Sequence, residues 1–132
     1  MESLSRVKGK KKGTIIVGLV WALWHMPVVY VVATLSGYSG NIALLMLVQA
    51  GAVFLFSVPF AYSYFMSRSI VGPMIMHLVW NIYNPIILGD VYTNTSGVMV
   101  GNAVIINGEA LAGILLGVPF FVWFLVINKN QD

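Results

Sequence analysis

The sequence contains no cysteine, so a disulfide scaffold, a thiol nucleophile and a thiolate metal site are all excluded. Charge is nearly as scarce. Asp, Glu, Lys and Arg make up 8% of the 132 residues, against about 25% in a typical soluble domain. Hydrophobic residues reach 59%, and so few charges cannot give a water-facing surface to a core of that size. Lipid is the solvent that resolves the mismatch. The only acidic residues are Glu2, Asp90, Glu109 and Asp132, which leaves no pair of aspartates inside an apolar stretch for an aspartyl dyad. A Gly-x-Ser-x-Gly elbow and a His-Glu-x-x-His zinc motif are also missing.

Long apolar runs are what the chain does have. Residues 14–35, 41–66, 70–88 and 110–127 each read as a membrane-crossing segment, since about 20 residues of helix span a hydrocarbon core of about 30 Å. The runs are continuously apolar and not alternating, which favours helices over a barrel. The expected fold is all-α: a polytopic transmembrane helix bundle of about four helices. A basic leader, residues 1–13, precedes a single membrane domain, residues 14–132. Residues 89–108 are mixed, and their centre, 98–106, either lies at the interface or lengthens the last helix. Glu109 reads as an interfacial charge at the edge of that helix.

The basic residues test this layout. Lys8, Lys10, Lys11 and Lys12 stand directly before the first run, whereas 36–40 and 89–108 hold no Lys or Arg. With the leader in the cytoplasm, four crossings put all seven basic residues on that side, as the positive-inside rule asks. Both termini are then cytoplasmic and the expected location is the plasma membrane. No basic residue is interleaved with aromatics, so the lysine cluster reads as a contact to lipid headgroups and not to nucleic acid.

Two histidines lie inside the apolar runs. His25 is eleven residues past Thr14, roughly 16 Å along a helix, and His77 is seven residues into its own run, roughly 10 Å. Both runs start from the same side, so the imidazoles are expected at a similar level. Ionisable groups at such depth are costly and are functional candidates by default. Trp21 shares a helix face with His25, and Asn81 shares one with His77, each pair being four apart. His77 and Asn81 offer hydrogen-bond donors for a developing oxyanion, and His25 a base or a ligand. Trp21, Trp24 and Trp80 read as packing residues.

These segments carry a resemblance. Trp21-Ala22-Leu23-Trp24-His25-Met26-Pro27 resembles the second motif of the CAAX-protease and bacteriocin-processing (CPBP) intramembrane metalloproteases, an aromatic residue, three residues and a histidine. Residues 69–81 resemble the third motif, a histidine followed four residues later by asparagine. The resemblance covers roughly residues 9–88. It implies a helical membrane bundle that hydrolyses a peptide bond at the membrane, with prenylated or bacteriocin-like peptides or proteins as substrates. His25 would then help to activate the attacking water, as base or metal ligand, and His77 and Asn81 would complete the site. His25 and His77 are the implied metal ligands and zinc the implied cofactor, with Trp21 and Arg68 in support.

The family's first motif, two glutamates followed by an arginine, has its nearest match at Met1-Glu2-Ser3-Leu4-Ser5-Arg6, where Met1 occupies one glutamate position. The segment is also closer to His25 than the motif is expected to be. Residues 14–132 are therefore expected to be the C-terminal part of the full family domain, with Glu2 as a supporting candidate only. Two other functions remain open on sequence: a non-catalytic, immunity-like membrane protein or relic, and a transporter subunit using the histidines as a proton relay.

Overall fold

The computed structural model describes residues 9–92, 95–100 and 102–127. Among the described residues five helices follow in order: α1, Lys10–Leu35; α2, Ile42–Ser67; α3, Val71–Leu88; the single turn α4, Ala103–Ile106; and α5, Leu111–Ile127. Among the described residues there is no strand, only an isolated bridge between Asp90 and Thr95. Four helical stretches are long and apolar enough to cross a membrane: α1, α2, α3 and Val104–Val126. The chain is an integral membrane protein. Its outward side chains say the same, since Leu23 is 64% exposed, Leu47 63% and Leu115 73%, which is tolerable only where lipid covers them.

Local chemistry sets the boundaries. Helix α1 ends in a Schellman turn: the Tyr38 amide donates to Ala33 O (2.9 Å) and Gly37 N–H to Thr34 O (3.3 Å). That turn needs a left-handed residue, and Gly37 takes φ +70° at no steric cost. Four residues on, the Asn41 side chain accepts from the Leu44 amide (3.0 Å) and caps α2. At the far end of α2 the left-handed residue is Arg68, with φ 54°. At its other end, α1 starts four residues before the apolar run, so Lys10, Lys11 and Lys12 form its first turn. Lysine is a good helix former whose long stem lets the ammonium reach the interface.

Helix α2 is the centre of the bundle, packing against α1, α5 and α3. Its buried residues, among them Leu45, Ala52, Val53, Leu55, Val58 and Ala61, point to several sides. Small residues let the helices approach. A Cβ built on Gly18 of α1 falls 3.0 Å from the Ser57 Cβ and 3.1 Å from the Phe54 ring. On α3, a Cβ on Gly72 falls 2.7 Å from the Ser63 hydroxyl. Helices α1 and α3 thus both lean on α2.

The segment after α3 folds back over one end of the bundle. Val91 joins Val29, Ala33 and Leu45 in a buried cluster. The buried pair Asn84 and Asn107 holds the segment down: Asn84 Nδ2 donates to Asn107 Oδ1 (3.0 Å), and Asn107 Oδ1 also accepts from the Glu109 amide (2.7 Å). Asn107 Nδ2 in turn donates to the Gly89 carbonyl. Replacing Asn107 by leucine is expected to strand these partners at about 1–3 kcal/mol for each buried group left unpaired. Thermal unfolding in detergent, with hydrogen exchange in the 89–109 segment, checks this; unchanged midpoint and exchange would contradict it.

Candidate active site

A cavity of about 430 Å³ opens between α1 and α3 over α2, and His25, His77 and Asn81 all line it. The residues singled out in the sequence therefore meet, from two helices, in one space. Trp21 packs against both imidazoles. Its ring centroid is 5.6 Å from that of His25 and 5.5 Å from that of His77, edge-on to both, and Phe60 of α2 packs against Trp21 (5.3 Å) and His77 (5.9 Å). The tryptophan reading needs amending: Trp21 and Trp80 pack against α2, Trp24 is 62% exposed with its ring against His25, and all three line the cavity.

The protonation pattern of His25 follows from one contact. Its Nδ1 lies 2.8 Å from the Trp21 carbonyl oxygen, which can only accept. Nδ1 therefore carries the hydrogen, and in the neutral ring Nε2 holds a lone pair able to take a proton. The tautomer is assigned by the partner. On α3, Asn81 is one turn beyond His77 and exposed to the cavity. Pro85 sits four residues further on and offers no amide hydrogen to the Asn81 carbonyl.

The supporting candidate Arg68 lies elsewhere. Arg68 caps α2, is exposed and lies outside the cavity lining. Glu2 lies outside the described residues. A catalytic zinc usually takes three protein ligands. Among the described residues no group of three or more His, Cys, Asp or Glu comes together to hold a metal. The described residues do not by themselves make a zinc site.

The structure adds three residues at the far end of the cavity. Gln49 of α2, Tyr92 and Glu109 line it there, linked by hydrogen bonds. Tyr92 Oη donates to Glu109 Oε2 (2.6 Å), and Gln49 Nε2 donates to Tyr92 Oη and to Glu109 Oε2 (3.4 Å). Glu109 thus borders the cavity and is more than an interfacial charge. Gln49 is the only amide in a 26-residue helix of otherwise mostly apolar residues, and the cost of burying a polar group there was the available signal.

Burial, then the charge of Glu109 and the hydrogen bond to it, then Asp90, push the Tyr92 phenol well above its usual range. A phenol in the unfolded chain ionises near pH 10. The stability from this raised value is complete below that pH and is lost as pH climbs above it. Tyr92 is expected to stay un-ionised until the protein unfolds, read as tyrosinate absorbance against a Tyr92→Phe control. Ionisation of Tyr92 near pH 10 in folded protein would contradict it.

Four apolar spans around a cavity lined by two histidines define a helical integral membrane protein with a candidate hydrolytic site. The family model described as type II CAAX prenyl endopeptidase Rce1-like matches residues 1–83, which include His25, His77 and Asn81, and the chain belongs to this family. Neither the curated proteins nor the solved structures yielded a match.

Proposed function

We propose that the protein is a CAAX-type intramembrane endopeptidase in which His25 activates water for attack on a peptide bond. The observation that carries the reading is the convergence of His25 from α1 with His77 and Asn81 from α3 on one cavity. Nε2 of His25 accepts a proton from water as the oxygen attacks the carbonyl carbon. The carbonyl oxygen becomes an oxyanion, to which the Asn81 amide and a His77 N–H donate. Collapse breaks the C–N bond, and the His25 imidazolium returns its proton to the leaving amine. Trp21 holds both imidazoles by their edges, and its carbonyl keeps the His25 proton on Nδ1.

The substrate class is a prenylated or otherwise lipid-associated peptide, which reaches the cavity from the bilayer. The lysine-bearing end of the bundle faces the cytoplasm of the cell, and the plasma membrane is the site of action. The test is hydrolysis of a prenylated peptide ending in the C-a-a-X pattern by protein reconstituted in liposomes, followed by mass spectrometry. Release of a C-terminal fragment is expected. Peptide recovered intact, as in protein-free liposomes, would overturn the proposal.

A further inference from the structure

The far end of the cavity holds an acceptor without a donor to match. Gln49 is only 3% exposed, and its Nε2 is spent on Tyr92 and Glu109. Its Oε1 is buried and has no hydrogen-bond partner among the described residues. The Tyr92 hydroxyl hydrogen is also directed at Glu109. Asp90 lines the same end and accepts the Tyr92 amide at Oδ1 (2.8 Å). At this end the partnerless Gln49 amide oxygen lies beside the Glu109 carboxylate. The described basic residues, Lys10, Lys11, Lys12 and Arg68, stand at the other end of the bundle. Arg68 is 19 residues beyond Gln49, roughly 28 Å along α2.

An unmatched buried acceptor beside a carboxylate calls for a ligand with N–H donors and positive charge. A ligand anion is repelled there. A bare divalent cation is a poor fit, because no three acidic or histidine side chains gather among the described residues. The walls between this end and the histidines are mainly apolar and aromatic, including Val53, Phe56 and Trp80, with Asn84 and Asn107 bonded to each other, which suits a mainly apolar ligand with one cationic group. Phe60, at the histidine level, and Gln49 are eleven residues apart on α2, roughly 16 Å. An extended peptide covers that distance in about five residues.

We infer that Gln49, Tyr92 and Glu109 form a specificity subsite for a lysine or arginine side chain about five residues from the bond held beside His25. The peptide nature of the ligand rests on the proposed peptidase reading; the cation preference rests on the acceptors alone. The test is direct binding of dansylated, mainly apolar decapeptides to the full chain in nanodiscs, with a single lysine moved along the sequence. At one position, replacing lysine by acetyl-lysine or norleucine is expected to weaken binding about tenfold or more. Glu109→Gln is expected to erase that difference, with Tyr92→Phe reducing it in part. The unmodified protein with the three peptides suffices should the variants fail to fold. Equal binding of lysine, acetyl-lysine and norleucine peptides at every position overturns the inference. A lysine preference without cleavage of any peptide supports the subsite and removes the peptidase reading, whereas cleavage without preference does the reverse.

Discussion

His25→Ala is expected to slow peptide hydrolysis by about 10²–10⁴-fold, the usual contribution of a positioned general base. The effect should fall on the rate and not on binding, because His25 meets the substrate's attacking water, whereas the apolar walls hold the substrate itself. The fold should survive. His25 is only partly buried and its single hydrogen bond is to its own helix, so its loss strands no distant polar group. Measured in nanodiscs, the variant should keep the helix content and peptide affinity of the unmodified protein. His25→Asn is a sharper form of the test: it retains a polar side chain of similar reach but has no lone-pair nitrogen to take a proton. Cleavage at the original rate in either variant would remove His25 from the chemistry.

The second large effect concerns the bundle. Gly18→Leu is expected to cost about 1–3 kcal/mol, the range for overpacking a tight contact. Even the first carbon of a side chain at this position meets the Ser57 Cβ at 3.0 Å and the Phe54 ring at 3.1 Å. Serine at position 57 is buried and cannot yield without moving α2, which also carries Phe60 at the histidine level and Gln49 at the far end. Pushing α1 off α2 therefore widens the cavity and displaces His25 relative to His77. A lower unfolding midpoint in detergent together with reduced hydrolysis is the expected pair of results. Gly51→Ala is the comparison, since a Cβ there reaches Ile114 at an ordinary 3.4 Å and should be tolerated. Equal stability of Gly18→Leu and the unmodified protein would contradict the packing argument.

The helices were legible because their signals are local. Apolar runs at 14–35, 41–66, 70–88 and 110–127 correspond to α1, α2, α3 and α5 with shifts of a few residues. Gly37, Asn41 and Gly89 mark their ends through backbone and capping chemistry that a sequence displays. The level shared by the histidines followed from counting residues along two helices that start on the same side. The contact of Trp21 with both did not, because four-residue spacing places Trp21 beside His25 but says nothing of its reach to α3. Residues 89–108 resisted reading for a related reason. They are held by pairs far apart in sequence, Asn84 with Asn107 and Gln49 with Tyr92 and Glu109, and such pairs leave no period to detect. Residues 98–100 form a bent stretch, and Ala103–Ile106 is a separate turn of helix before α5, within the apolar span Val104–Val126.

The most direct measurement is a double-mutant cycle on peptide hydrolysis with His25→Ala, Asn81→Ala and the pair together, in reconstituted full-length chain. Residues that serve one transition state lose most of their effect together, so the double variant should be about as slow as His25→Ala alone. Rates that multiply as independent losses, or cleavage that persists in the double variant, would contradict a single site shared by α1 and α3.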